Sequence, residues 1–304
     1  MFKKSIKLAL ASFFAVLVIA NKSIACDLCG SAVTSSYLGI LPQFKQHFIG
    51  VRHQLNSFES KPLASLGVGS GNNALSTDLL QRTEVWGRFY PVNRVQLFAF
   101  VPYQINTKTE EGIPETTHGL SDISILANYL LINTGDTSRL SWKNTLSVGA
   151  GIKAPTGKFD KDGAPALQIG TGTWDYLFTT IYTSRYKKWG VNIDANFRLN
   201  GANENYQFGN RISTSLRFFY WQKKRITSFI PNLGILAEHA EKDLKNNVIQ
   251  KYTGGNGFYA NMGLDLYYKK VSIGASFSLP IYESLNENMV NTKYRTSLQA
   301  IYLF

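Results

Sequence analysis

Cysteine is almost missing from this sequence: 304 residues carry only Cys26 and Cys29. Without a second Cys-x-x-Cys pair, they give little support for a metal centre. Long apolar runs are missing too. Beyond residue 25 none approaches the ~20 residues that a membrane helix needs, so any crossing of a bilayer must be made by strands. The chain has no Gly-x-Ser-x-Gly elbow, no phosphate-cradling loop and no distinct carboxylate pair. Only His47, His53, His118 and His239 are available as a base for an activated nucleophile. An enzyme is therefore the weakest of the readings considered. Its one concrete form is a lipid hydrolase built on a membrane barrel. The net charge of +12 suits nucleic acid, but no basic cluster is interleaved with aromatics, which argues against that class of partner.

What is present begins with a secretory signal. Lys3, Lys4 and Lys7 precede a thirteen-residue apolar run at 8–20, and Ser23, Ile24 and Ala25 form a small-x-small cleavage site. Residues 1–25 are read as the signal, and cleavage would leave Cys26 first. Attachment of lipid there is an alternative, although Ser23 stands where that processing signal normally has Leu. The signal holds Lys3, Lys4, Lys7 and Lys22 and no acid, so +12 becomes +8 in the 279 residues that follow. Residues 26–47 have no sustained period and read as a periplasmic segment. In an oxidising compartment Cys26 and Cys29 ordinarily form a disulfide. A soft-metal site made of Cys26, Cys29 and His47 is the alternative.

From residue 48 the chain becomes a succession of alternating segments, each about the ~9–11 residues that cross a bilayer at a tilt. Twelve are counted: 48–57, 78–90, 95–106, 120–132, 140–154, 170–186, 189–200, 206–220, 226–239, 257–268, 271–282 and 293–304. An even number returns the chain to the side where it began. Short connections at 91–94, 133–139, 187–188, 221–225 and 269–270 alternate with longer ones at 58–77, 107–119, 155–169, 201–205, 240–256 and 283–292. Outer-membrane barrels have short periplasmic turns and longer external loops, an order that a soluble sandwich does not require. The last segment ends on Tyr302 and Phe304. It resembles the terminal strand through which such barrels engage the barrel assembly machinery. The expected fold is an all-β transmembrane antiparallel barrel spanning 48–304, in the outer membrane of a Gram-negative bacterium.

Period two also assigns faces. A charge on the lipid face near the midplane costs ~2–4 kcal/mol, so charged faces should point into the lumen. Inward bases are then Arg52, Arg82, Arg88, Lys143, Lys153, Arg198, Arg211, Arg217, Lys293 and Arg295. The inward acids are Glu84, Asp122, Asp175, Asp194, Glu238 and Asp265. This excess of bases predicts a wet lumen with a mild preference for anions. Phe98 and Phe100 fall on the same face and offer an apolar or aromatic solute a foothold. The segment 78–90 is less clean, because Trp86 shares the charged face. Tyr90, Trp142, Tyr186, Trp189, Tyr220, Trp221, Tyr267, Tyr268 and Tyr302 gather near the short turns, as an interfacial girdle would.

Three motifs carry a family resemblance: Gly119 with Asp122, then Lys153 with Pro155, Thr156 and Gly157, then Gly170 and Gly172 with Asp175. Their succession resembles the outer-membrane family named for the meta-pathway of phenol degradation, whose members are described as transporters. The resemblance implies a channel or transporter passing small molecules passively through the outer-membrane lipid, with no cofactor. A non-conducting barrel whose Cys-bearing segment binds a metal or a protein partner is the runner-up. Asp122 and Asp175 are expected to meet Lys143 or Lys153, as parts of a structural rim before any contact with a ligand.

Overall fold

The computed structural model describes residues 46–61, 75–134, 141–160, 167–203 and 206–304. The expected signal, Cys26 and Cys29 lie outside them. In chain order the strands are β1 (Phe48–Ser60), β2 (Ser76–Phe89), β3 (Val95–Glu110), β4 (Ile113–Leu120), β5 (Ser124–Asn133) and β6 (Trp142–Lys153). There follow β7 (Asp175–Tyr186), β8 (Trp189–Leu199), β9 (Tyr206–Gln207), β10 (Arg211–Tyr220), β11 (Gln222–Lys224) and β12 (Thr227–Ala240). The last are β13 (Leu244–Lys245), β14 (Val248–Ile249), β15 (Gly255–Tyr268), β16 (Val271–Leu285) and β17 (Val290–Leu303).

Twelve long strands pair antiparallel with their neighbours and close on themselves. Closure runs from Phe48 opposite Leu303 to Ser60 opposite Val290, which joins the first strand to the last. A closed barrel leaves no backbone edge unpaired, as a lipid environment demands. Each of the twelve expected segments supplies one of these strands, with ends displaced by a few residues.

The two faces are the reverse of a water-soluble protein. Ile49, Val51, Val85, Val101, Ile125 and Leu233 point out and are exposed. Arg52, Glu84, Arg88, Asn128, Asp175 and Arg217 point in and are buried. A contiguous apolar exterior around polar contents is stable only where lipid covers it.

Four expectations need correction. Residues 107–119 do not form an open loop. β3 continues to Glu110 and returns as β4 through a two-residue turn in which Glu111 and Gly112 both have positive φ, 52° and 80°, the left-handed pair that a tight hairpin uses. Residues 170–174 belong to the rim described below, so β7 starts only at Asp175. Lys293 is not inward. The register of β1 on β17 slips between Ser57 and Phe58. That bulge leaves Lys293 exposed, 3.5 Å from Glu59. Finally, Trp221 and Tyr267 do not join the girdle. Trp221 is buried with Phe219 and Ile230, and Tyr267 packs against that group.

The two ends are chemically distinct. Lys187 and Lys269 make tight turns with φ of 54° and 51°. At the opposite end β13 and β14 form a hairpin that pairs with β9. Val248→Cys in that hairpin is expected to react with an impermeant maleimide on intact cells, while Lys188→Cys reacts only after lysis. The reverse pattern would invert the barrel.

Candidate functional site

The three motif segments, far apart in sequence, meet at the long-loop end. Lys153, the last residue of β6, points inward with its Nζ 2.7 Å from Asp122 Oδ2 and 2.6 Å from Asp175 Oδ2. It also donates to Thr171 Oγ1 at 2.6 Å. Asp122 accepts the backbone N–H groups of Gly157 and Thr171, each at 2.9 Å. Asp175 accepts from Thr173 Oγ1 at 2.8 Å and from the Gly201 N–H at 3.1 Å. Thr156 Oγ1 accepts the Ile123 N–H at 2.9 Å and donates to the Ser121 carbonyl. A Cβ on Gly170 would lie 2.7 Å from both Asp122 Oδ1 and the Gly157 carbonyl, so only glycine allows these backbones to touch. The result is a buried rim that ties together the loops around β5, β6 and β7. Its carboxylates are occupied by an ammonium and by amides.

Lys143 is not part of it. It lies near the short-turn end, opposite Arg185. Sequence alternation placed both lysines on one face but did not distinguish their heights.

Midway down, Arg52 and Arg82 share Glu84. Arg52 Nε is 2.7 Å from Oε1, and Arg82 Nη2 is 2.8 Å from Oε2. Across the lumen Arg217 stands 3.8 Å from Asp194, which also accepts from Ser215. Arg217 Nε donates to Asn261 at 3.2 Å. Gln299 donates to Asp265 at 3.1 Å.

The short-turn end is filled. Phe48, Trp86, Phe98, Phe100, Leu126, Ile301 and Leu303 form one buried cluster. Trp86 meets Phe48 edge-on at 4.7 Å, and the Arg52 guanidinium lies 4.8 Å over the indole. Arg88 spans Phe48 and Tyr90, at 5.1 and 5.2 Å from their ring centres. Arg185 covers Trp221 at 4.3 Å. Tyr267 packs against both this cluster and that of Phe219, Trp221 and Ile230. The lumen, expected from charge alternation to be wet, thus carries an apolar floor at this end. Trp86, the aromatic on the charged face of its strand, is its centre.

Above the floor lies a cavity of about 60 Å³. Phe100, Leu126, Leu177 and Leu285 give it an apolar side, and Arg198, Arg211, Arg295 and Glu238 a charged one. Arg295 is buried: Nη1 is 2.7 Å from Glu238, Nη2 is 2.6 Å from Tyr259 Oη, and the Tyr259 hydroxyl donates to Glu283 at 2.8 Å. Tyr259 and Leu285 are interior residues that charge alternation does not single out. Tyr259 is nevertheless six residues before inward Asp265, on the same face at period two.

The mouth is braced by Asp243 of the connection 241–254, which accepts from Tyr206 Oη at 2.6 Å and from the Gly209 N–H at 2.7 Å. Burial pushes its carboxyl above the ordinary value, opposed by the charge of Arg211. His47 sits at the other end, its ring 4.7 Å from Phe89 and 5.6 Å from Phe304, with Nδ1 accepting the Tyr90 N–H. His53 and His239 bond to Thr83 and Asn256 respectively. Among the described residues no group of three His, Cys, Asp or Glu side chains is placed to hold a metal ion.

The family model described as "Putative MetA-pathway of phenol degradation" matches residues 64–279. No curated protein matches the chain. Among solved structures, the chain is similar to an outer membrane channel from Pseudomonas putida F1, at 15% identity and a TM-score of 0.63. That match covers 90% of this chain and 99% of the channel. The β domain of the Bordetella autotransporter Brka matches at 12% identity and a TM-score of 0.48, covering 84% and 99%.

Proposed function

This chain belongs to the MetA-pathway of phenol degradation family, and we propose that it works as an outer-membrane channel for the passive passage of small molecules. The observation that carries this reading is the cavity between rim and floor, apolar on one side and cationic on the other, inside a barrel whose exterior suits lipid. Phe100 is the aromatic foothold a small apolar solute would meet, whereas Phe98 is packed within the floor. In this reading the exposed terminal strand, with Tyr302 and Phe304, is what the barrel assembly machinery takes up.

The filled short-turn half favours a second reading: a barrel that does not conduct, whose segment 26–47 binds a metal or a protein partner. Planar-bilayer recording of the purified full chain decides between them. The channel reading expects discrete current steps. A silent bilayer containing demonstrably folded protein would replace it with the second reading. Turnover of lipid by the same preparation would instead make the barrel an enzyme.

A further inference from the structure

The short-turn end carries side-chain charge of one sign. The turns at 91–94, 187–188, 221–225 and 269–270 hold eight basic residues and no acidic one. At the long-loop end bases meet acids instead: Lys242 bonds Glu287, Lys293 stands 3.5 Å from Glu59, and Lys108 stands 3.4 Å from Glu110. Opposite charges there offset one another, whereas basic residues beside a membrane attract anionic lipid.

One of these turns borders a groove. Beyond Trp221, whose N–H donates to the Lys188 carbonyl, β11 continues along β12 past the turn between β7 and β8. Its register places Gln222 opposite Phe229 and Lys224 opposite Thr227. β12 in turn sets Phe229 against Leu266 and Thr227 against Tyr268. Directly opposed residues share a face of the sheet. Phe229, Leu266 and Tyr268 are exposed, like Leu233 on the same face of β12, so that face is the outer one. These six residues are among those lining a groove of about 420 Å³, within the roughly 300–1,000 Å³ of small-molecule clefts. Its two rows differ in height. Gln222, Phe229 and Leu266 lie deeper along the barrel, and Lys224, Thr227 and Tyr268 lie next to the turns. The ammonium of Lys269 is 5.4 Å from the Tyr268 ring centre and extends the cationic edge.

We propose that this groove binds an anionic phospholipid, with its phosphate between Lys224 and Lys269 and an acyl chain along Phe229 and Leu266. The polarity follows depth. Charge sits where a headgroup lies, Phe229 and Leu266 where the chains begin, and Tyr268 at the boundary that tyrosine favours. Outer-membrane barrels keep their short turns on the periplasmic side, where the leaflet is phospholipid. An acidic protein would use the charge of the turns but leave Phe229 and Leu266 uncovered. The groove lies outside the lumen, so this site does not depend on conductance.

The experiment is native mass spectrometry of the purified full chain in detergent, titrated with palmitoyl-oleoyl phosphatidylglycerol or with the phosphatidylcholine of the same chains. The first phosphatidylglycerol adduct is expected at a concentration at least about five-fold lower than the phosphatidylcholine adduct, the preference that one lysine at an anionic surface supplies. Lys224→Gln with Lys269→Gln should abolish that preference. Lys187→Gln with Lys188→Gln removes equal charge from a neighbouring turn and should leave it intact. Gel mobility before and after heating confirms that both double variants are folded. Glycerol phosphate, a headgroup without chains, should not displace the lipid at equal concentration. Equal affinity of the wild type for the two lipids would overturn the site and leave the basic turns to an acidic protein. Equal losses in the two double variants would also overturn it, as would displacement by glycerol phosphate.

Discussion

Lys153→Met is expected to lower the stability of the folded barrel by about 3–5 kcal/mol, the usual consequence of removing one member of a buried ion pair. The side chain touches both Asp122 and Asp175, and all three residues are buried. Methionine keeps the length and apolar stem of lysine, so packing changes little. What changes is charge: two carboxylates, already the excess charge of the trio, lose their common cation. Backbone amides at 157, 171 and 201 still point at them, which limits the loss. Urea unfolding in micelles, followed by tryptophan fluorescence, measures it. Adding Asp122→Asn and Asp175→Asn to Lys153→Met should restore part of the stability, because neutral amides no longer need the cation. A loss below about 1 kcal/mol would show that the rim does not depend on this ion pair.

The same lysine marks how far the sequence could be read. Alternation at period two tells which face a residue occupies, because lipid outside and polar contents inside apply the same selection on every strand. It does not tell height. Lys143 and Lys153 share a face of β6 but stand ten residues apart, roughly 33 Å at strand rise. The choice between them depends on loops that bring 119–122 and 170–175 to one end. Short-range periodicity carries no trace of such long-range contacts. For the same reason alternation leaves the hairpin of β3 and β4 looking like a loop, although its Glu111 and Gly112 turn is present in the sequence. Alternation puts Lys293 on the wrong face because one bulge reverses the parity of everything beyond it. The terminal strand and the alternation of turn lengths were legible because each is a local property repeated along the chain.

Trp86 shows the remaining difficulty, since an aromatic on a charged face contradicts the pattern until the floor is seen. Any solute crossing the barrel must pass that floor, and Trp86 stands at its centre. Its indole is 1% exposed, edge-on to Phe48, stacked 6.1 Å from Phe100 and capped by the Arg52 guanidinium. Phe100 also lines the cavity above, so the indole lies directly beneath that cavity. Trp86→Ala removes the largest fully buried side chain among the described residues. In an apolar core such a truncation costs about 3–5 kcal/mol, as lost burial plus an unfilled cavity. Here the neighbours include Arg52 and Glu84, and a void bordered by charge fills with water rather than staying empty. The expected result is a barrel that still folds, with reduced stability, and a single-channel conductance raised several-fold over wild type in the same lipid and salt. Trp142→Ala serves as the control. Trp142 is 56% exposed on the outer surface, and its removal should leave conductance unchanged. If both variants fold and both conduct like the wild type, the path of the solute does not cross the Trp86 floor.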